Sequence, residues 1–276
     1  MYICPVCGEK LKAGQSAYVC RNRHSFDIAA KGYVNLLLTK GHNPSRSGDD
    51  PMMIRSRSEF LDTGHYSPLA DKAAETLAAA LEGIREPFII DSGCGEGYYT
   101  VKYAGRLPQA SVCGIDISKS GISHAASRKK LAGAANLSFA VASSFSLPFR
   151  KGSADAVVST FAPVTNDEYA RVLKPSGKLI VISPTERHLF GLKELLYDDP
   201  YENKPNRYSL RSFGLVSEER LEYSITLETP REVGALFAMT PYYYKTSADA
   251  AERLKSCAPL TTECGFLIQI YKKIPD

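Results

Sequence analysis

A glycine-rich turn between an apolar run and a helical pattern constrains this 276-residue chain more than any other feature. The turn spans residues 91–97, with the sequence D-S-G-C-G-E-G, and it follows a short apolar run at 88–91. Three glycines at alternating positions let the backbone bend sharply and let a ligand approach it closely. A turn of this kind is typical of the carboxyl end of a parallel strand, where doubly wound α/β sheets bind their ligands.

The pattern downstream of the turn repeats the same alternation of strand and helix. It predicts βαβ units and an α/β fold, with a doubly wound, mostly parallel seven-stranded sheet and helices on both faces. Two late apolar runs, at 223–229 and 265–272, flank a helix predicted at 248–256 and are expected to form an antiparallel edge. The other predicted strands lie at 88–91, 110–117, 137–141, 154–160 and 178–183, and the other helices at 69–81, 98–107, 118–132, 165–173 and 186–197.

Four potential metal ligands crowd the N-terminus: Cys4, Cys7, Cys20 and His24, in the pattern C-x2-C-x12-C-x3-H. Zinc prefers four tetrahedral ligands, and thiolates with an imidazole supply them. Because four protein ligands leave no open position, the predicted zinc is structural, and it supplies folding free energy that so short a segment cannot gain from apolar burial. Redox activity of Cys4 and Cys7 is the weaker alternative, since redox pairs of this spacing belong in a βαβ context.

The patterns divide the chain into three predicted segments. Residues 1–35 form a zinc-binding module, 36–58 a basic polar linker, and 59–276 the main domain. Residues 1–60 hold nine Lys or Arg against five Asp or Glu, whereas the remainder of the chain is neutral. A basic appendage on a neutral body favours contact with a polyanion such as a nucleic acid. A chance excess of this size is the equally weighted alternative.

Two aromatic residues, Phe26 and Tyr33, lie among the basic residues of the module. Interleaved basic and aromatic side chains suit phosphate contact and base stacking. We nevertheless expect these two rings to pack the module onto the main domain, because the module's own core must be very small.

The chain contains no apolar run of about eighteen residues or more, so no membrane span is predicted. Its N-terminus lacks the basic and apolar regions of a signal peptide. Seven cysteines without an export signal argue against a disulfide framework. We therefore expect a cytoplasmic protein.

The turn at 91–97 resembles the first motif of class I methyltransferases, which wraps the methionine end of S-adenosylmethionine. Acidic residues around it, Asp91 and Glu96, suit a cationic cofactor and would repel a pyrophosphate. Asp116, at the end of the second strand, suits the ribose hydroxyls of a nucleoside, a feature that nicotinamide enzymes share. A nicotinamide dehydrogenase therefore stays open as a minor alternative.

Together with the zinc pattern, these motifs resemble one family, the bacterial 23S ribosomal RNA (guanine-N1) methyltransferases. The resemblance spans nearly the whole chain and includes the stretches 24–27, 32–37, 60–66, 91–100 and 187–189. It implies that the zinc module helps to hold an RNA hairpin loop and that the product is linked, for one of two neighbouring guanosines, to resistance against macrolide-type antibiotics. The cofactor-binding residues predicted from the motifs and the resemblance are Tyr66, Asp91, Gly93, Gly95, Glu96, Gly97, Asp116, Ser143, Ser144 and His188.

The catalytic residues are left open by the sequence. N1 of neutral guanine carries a proton, so a base, or a donor to the carbonyl oxygen, must assist the transfer. Asp167 and Glu186 are candidate bases, although Asp167 also suits the start of a helix. Phe161 follows the fourth strand, where its ring either stacks on the target base or packs in the core.

Two other functions remain as alternatives to RNA methylation. One is a methyltransferase of small molecules whose zinc module is purely structural. The other is a cofactor-binding RNA chaperone without catalysis, against which the intact turn at 91–97 argues. The number of subunits is left open, a homodimer included.

Overall fold

The computed structural model describes residues 2–38, 50–204, 208, 210–247, 253–254 and 257–274. Near the N-terminus three very short strands form an antiparallel sheet in the order β1-β2-β3. They are β1 (Lys12–Ala13), β2 (Ala17–Val19) and β3 (Ser25–Asp27). Most of their side chains are exposed, so this sheet has almost no core of its own.

The main sheet has eight strands among the described residues, in the order β10-β11-β9-β8-β5-β6-β7-β4. All neighbours pair in parallel except β11, which is antiparallel to both β9 and β10 and forms the predicted antiparallel edge. The α/β doubly wound prediction is thereby confirmed. The strands are β4 (Val34–Asn35), β5 (Phe88–Ser92), β6 (Ser111–Asp116), β7 (Leu137–Val141), β8 (Ala154–Thr160), β9 (Leu173–Pro184), β10 (Phe213–Leu227) and β11 (Leu260–Lys273).

The eighth strand, β4, was not predicted. Val34 and Asn35 pair with Ala140 and Val141 of β7, and the Leu36 N–H donates to the Val141 carbonyl at 2.8 Å. Residues expected at the end of the zinc module therefore extend the large sheet. Two residues are too few to show a period-two pattern, so the strand left no signal in the sequence.

The described residues include seven helices. The predicted polar linker is wrong over residues 51–58, because a helix begins at Pro51 there. The Asp50 carboxylate caps it by accepting from the backbone N–H of Met52 and Met53, and proline at the first helical position is a typical start. The helices are α1 (Pro51–Asp62), α2 (Ser67–Ala80), α3 (Tyr98–Arg106), α4 (Lys119–Ala132), α5 (Asn166–Val172), α6 (Phe190–Leu196) and α7 (Pro230–Ala238).

Two further expectations differ from the structure at the C-terminal end. The helix predicted at 248–256 falls largely outside the described residues. Helix α7 was missed, although Thr229 and Glu232 form a capping box at its start. No helix in the described parts of the chain has both the length and the apolar character that crossing a membrane requires.

The core lies on both faces of the main sheet. Successive residues of β5 point to opposite faces, so Ile89 and Ile90 belong to separate buried clusters. One face is covered by helices, whereas the other carries α5 and the N-terminal segment, whose Tyr2 and Leu11 are buried there. The zinc module thus packs on the sheet face that carries α5. The carboxyl ends of the same strands form the site described next.

Candidate active site and metal centre

The carboxyl ends of β5, β6 and β8 open into one cleft of about 800 Å³. That volume is near the upper end of the roughly 300–1,000 Å³ seen for small-molecule sites. Nine of the ten predicted cofactor-binding residues line it, and Gly97 does not. These nine are Tyr66, Asp91, Gly93, Gly95, Glu96, Asp116, Ser143, Ser144 and His188.

Two glycines of the turn have different structural roles. Gly95 has a φ of +54°, and a Cβ there would meet only Nη1 of Arg57, at 3.5 Å, so its backbone is open to the cleft. At Gly97, with a φ of +85°, a Cβ would lie 2.7 Å from the Cβ of Ala125 on α4. Gly97 therefore allows close helix packing, and it is not a direct contact for a ligand.

Asp91 ends the first core strand and is only 1% exposed. Thr100 Oγ1 donates to its Oδ2 at 2.6 Å. Burial raises the pKa of the Asp91 carboxyl to about 7, against the hydrogen bond from Thr100, and the charge of Asp116 raises it further. A buried acid that titrates near neutrality suits a positively charged ligand group.

Asp116 holds the turn in place from the end of β6. Its Oδ2 accepts from the Gly95 N–H at 2.8 Å, and its Oδ1 accepts from the Ser118 N–H at 2.7 Å. Asp116 also lines the cleft, and a carboxylate at this position suits ligand hydroxyls.

Glu96 is buried at 2% exposure and forms an ion pair with Arg128 of α4. Burial raises the pKa of the Glu96 carboxyl, and the Arg128 charge opposes that rise. Arg128 also donates to Asp62 at 2.6 Å and to Ser58 at 2.8 Å, both on α1. The Glu96 charge is therefore compensated within the protein, and Asp91 and Asp116 carry the negative character of the cleft.

Tyr66 and His188 form a buried pair in the opposite wall, with the hydroxyl 3.3 Å from Nε2. Burial lowers the pKa of His188 to about 3, so the ring is neutral. Because the Gly265 N–H donates to Nδ1 at 3.3 Å, the ring proton lies on Nε2 and is donated to the Tyr66 oxygen. The hydroxyl proton of Tyr66 is thus left for another acceptor.

Phe161 is 45% exposed and lines the cleft, so it is not a core residue. Its backbone has a φ of +54°, a conformation that side chains other than glycine rarely adopt. The N–H of Phe161 donates to the Ile182 carbonyl at 3.0 Å, and its ring lies nearly parallel to that of His188 at 6.4 Å. Strained backbone of this kind is concentrated at functional sites.

The two candidate bases lie elsewhere. Asp167 pairs with Arg211 at 2.8 Å and Glu186 pairs with Arg220 at 2.9 Å, and neither carboxylate lines the cleft. The hydrogen bond from each arginine lowers the pKa of its carboxyl. The geometry therefore supports neither of them as a base.

Sequence reasoning assigned no role to several cleft residues. Tyr99 and Ser183 have buried hydroxyl groups without a hydrogen-bond partner among the described residues, and both line the cleft. Such orphaned groups in a polar cavity call for a ligand or water. Together with the acidic pair and the open backbone at Gly95, they fit a cationic nucleoside such as S-adenosylmethionine.

The four predicted metal ligands lie together, with all ligand atoms within 4.8 Å of one another. The sulfurs of Cys7 and Cys20 are 3.8 Å apart, and His24 Nδ1 lies 3.5 Å from Cys4 Sγ and 3.4 Å from Cys20 Sγ. A tetrahedral zinc with Zn–S bonds of about 2.3 Å places two sulfurs roughly 3.8 Å apart. The residues therefore fit a structural zinc bound through Nδ1.

The metal centre is attached to the main domain through Tyr2. Its ring stacks on Phe149 at 5.6 Å, its hydroxyl lies 3.0 Å from Cys113 Sγ, and the next N–H donates to the Pro148 carbonyl at 2.9 Å. Tyr33 is buried in the core on the helix-covered face of the sheet, and Phe26 is half-buried against the core on the opposite face, which contains Tyr2. Both rings therefore pack, but on different faces.

Comparison with known proteins gives two family matches. The model described as "Methyltransferase domain" matches residues 88–233, and the zinc ribbon described as "RlmA, N-terminal" matches residues 2–41. The chain is 31% identical to the "23S rRNA (guanine(748)-N(1))-methyltransferase" of Streptomyces fradiae, over 91% of this chain and 88% of that one. It is 33% identical to a relative from Micromonospora griseorubida, over 98% and 97% of the two chains, and 32% identical to YxjB of Bacillus subtilis, over 97% and 96%. Both are named, provisionally, as 23S rRNA (guanine-N(1)-)-methyltransferases.

Proposed function

The chain belongs to the family of 23S ribosomal RNA (guanine-N1) methyltransferases, and from that premise we propose that it methylates N1 of a guanosine in a hairpin loop of 23S ribosomal RNA. One observation carries the proposal: a single cleft joins the glycine turn at 91–97 to the half-exposed ring of Phe161. A cofactor on the turn and a base on that ring would share one cleft, which would hold the reacting groups close together, as a group transfer requires.

We assign the cofactor to the half of the cleft beside the turn. The open backbone at Gly95 and the acid Asp91 suit its charged methionine end, and Asp116 suits the ribose hydroxyls. Ser143 and Ser144, which follow β7, suit the adenine. When bound there, S-adenosylmethionine supplies an electrophilic methyl group on a sulfonium.

We assign the target base to the other half, between Phe161 and the wall that contains His188. Stacking on an aromatic ring is the usual way to hold a base removed from its strand. The neutral His188 donates to the Tyr66 hydroxyl and so holds the tyrosine in the wall of the cleft. Since Asp167 and Glu186 lie outside the cleft, neither of them is proposed as the base.

The zinc module is proposed to hold the flanking RNA. Arg23 and Arg21 are exposed in the loop between Cys20 and His24, and Arg21 pairs at 2.7 Å with Glu9. Arginines of this kind suit contact with phosphates, which position an RNA without identifying its sequence. The reaction is proposed to take place in the cytoplasm, where bacterial ribosomal RNA is made, and a homodimer stays a prediction that light scattering tests.

Purified protein incubated with tritiated S-adenosylmethionine and naked 23S ribosomal RNA tests the proposal. We expect label in the RNA, and primer extension on ribosomal RNA from a deletion strain then identifies the guanosine. Label entering only small metabolites would replace the proposal with the small-molecule alternative. Tight binding of RNA and cofactor without any label would instead favour a chaperone.

A further inference from the structure

A fully buried lysine lies behind the target side of the cleft. Lys193 of α6 is 0% exposed. Its Nζ donates to the Asn203 Oδ1 at 2.7 Å and to the Tyr201 carbonyl at 2.8 Å. The same Nζ lies 4.4 Å from the centre of the Tyr201 ring and 5.4 Å from that of Tyr242. Two oxygens and two aromatic faces thus surround a positive charge.

This ammonium has no close counter-ion. Among the residues that the structure describes, no carboxylate lies within the 4.0 Å of Nζ that would make an ion pair. Burial lowers the pKa of Lys193, and the charge of Glu202, which is 55% exposed and pairs with Arg187 at 3.6 Å, opposes that shift. Burial of an unpaired charge is destabilising, so a hydrophobic side chain would be the better choice for packing alone.

The charge is one residue layer from the cleft. Asn203 and Tyr242 contact Nζ and also line the cleft. Asn203 is held in one orientation, since its Nδ2 donates to the carbonyls of Thr185 and His188, both at 3.0 Å. The charge of Lys193 also contributes to the lowered pKa of His188, so its field reaches the wall opposite Phe161.

We propose that Lys193 is a positioning residue for methyl transfer, and that its buried positive charge favours loss of the N1 proton from a guanine held against Phe161. This inference rests on the proposed function. The N1–H bond breaks, its proton goes to solvent, and the electron pair stays on the ring, shared between N1 and O6. That pair then forms the new bond to the methyl carbon, while the bond between carbon and sulfur breaks and leaves its pair on sulfur.

The other titratable groups around Lys193 do not cancel this effect. Burial raises the pKa of Tyr242, so the phenol is neutral, and His188 is neutral as well. Glu202 carries the opposing charge, and it faces solvent and Arg187. A cation one residue layer from a forming anion, at an effective dielectric constant of about 20, is expected to shift a proton equilibrium by about one pH unit.

The pH dependence of turnover in Lys193→Met and Lys193→Arg tests the proposal. We expect the rising limb of the Lys193→Met profile to move about one pH unit upward, with a rate about tenfold lower near neutrality that approaches wild type at high pH. Lys193→Arg keeps the charge and should keep the wild-type profile shape. Lys72→Met, which removes a lysine paired with Glu219 at 2.5 Å on the surface of α2, is the matched control and should be unchanged.

A second readout does not depend on turnover. An RNA hairpin with 6-thioguanosine at the target position, bound in the presence of S-adenosylhomocysteine, reports its own N1 deprotonation by absorbance. We expect a lower pKa for thioguanosine bound to wild type than for the free hairpin, and a pKa about one unit higher when it is bound to Lys193→Met.

The outcomes separate the inference from its premise. Wild-type protein that does not label ribosomal RNA removes the proposed function itself. Labelled RNA together with a Lys193→Met rate that is reduced equally at every pH overturns the inference alone. If Lys193→Met does not fold, an unchanged thioguanosine pKa on binding to wild type overturns it instead.

Discussion

The zinc module and the cofactor cleft are ordered by different kinds of interaction. The module comprises residues 2–33, where strands of two or three residues are mostly exposed and four ligand side chains lie within a 21-residue window. The cleft collects residues from 57 to 242, and many of them lie at or just after the carboxyl ends of strands that are almost completely buried. The zinc module is therefore built from residues close in sequence and depends on its metal. The cleft is built from residues far apart in sequence and depends on apolar burial. Each should be removable without loss of the other.

The largest effect is expected from Cys7→Ala, which leaves the metal with three ligands. Structural zinc contributes about 10 kcal/mol or more to the folding of such small segments, so residues 2–33 should unfold. RNA affinity should fall about tenfold or more with loss of the exposed phosphate contacts, since each tenfold corresponds to about 1.4 kcal/mol. Hydrogen exchange, zinc content and RNA titration measure these changes.

Cys257→Ala is the matched control, because Cys257 is a half-buried thiol outside both sites. It should keep one zinc and normal RNA affinity. In Cys7→Ala the affinity for S-adenosylmethionine should stay within about twofold of wild type. Loss of cofactor binding in that variant would show that the two regions are not separable.

The contact through Tyr2 is the place where the two regions are expected to be coupled. Tyr2→Ala removes a ring that is 2% exposed and packed on Phe149, and truncation of a buried aromatic ring costs about 3 kcal/mol. Tyr2→Phe keeps the ring and loses the hydroxyl contacts with Cys113 and Ser138, so it should cost about 1 kcal/mol. Chemical denaturation measures both. Equal values for the two variants would contradict the packing role of the ring.

Local sequence patterns were sufficient for the parts of each region that are local. The ligand spacing of Cys4, Cys7, Cys20 and His24 predicted a cluster that the structure contains, because two tight turns bring each pair together. The apolar run and glycines at 88–97 predicted a strand, a turn and a helix within a residue or two. Positive φ angles at the three glycines explain why that pattern is so informative.

Features that depend on distant residues could not be predicted in this way. The pairing of Glu96 with Arg128 joins positions 32 residues apart, and the pair of Tyr66 and His188 joins positions 122 apart. Strand β4 is too short to show a pattern, and it pairs with β7, which lies far along the chain. The roles of Lys193 and of the orphaned hydroxyl groups depend on burial, which composition does not reveal.

Gly95→Val should abolish cofactor binding in the cleft and leave the zinc module intact. A β-branched side chain is strained at a φ of +54°, and it would project into the space open to the cofactor. We expect affinity for S-adenosylmethionine to fall at least about 100-fold, equivalent to about 2.7 kcal/mol, as measured by calorimetry. Zinc content and protection of residues 2–33 should not change.

Gly152→Val is the control for backbone strain alone. Gly152 has a φ of +63°, with no atom within 4 Å of an added Cβ, and it does not line the cleft. This variant should lose some stability and bind the cofactor normally. Normal binding by Gly95→Val as well would contradict the assignment of the turn to the cofactor.

The smallest expected effect is that of the Asp91 charge on cofactor affinity. It makes binding in the cleft depend on pH. The pKa of Asp91 is about 7 in the free protein, above its ordinary value, so Asp91 stabilises the free protein at acidic pH and loses that contribution as the pH rises through 7. Binding of a cation needs the ionised form. The affinity for S-adenosylmethionine should therefore fall about tenfold from pH 8 to pH 6 because of this group.

Asp91→Asn is the control for this pH dependence, because its side-chain carbonyl can still accept from Thr100 while the charge is lost. The cofactor's own titration is common to both proteins and cancels in the ratio of their affinities. The ratio of the wild-type affinity to the Asp91→Asn affinity should be about tenfold larger at pH 8 than at pH 6. A ratio independent of pH would mean that the Asp91 charge does not face the cofactor. The acid would then act only as a scaffold for the turn, as the zinc ligands do for the module.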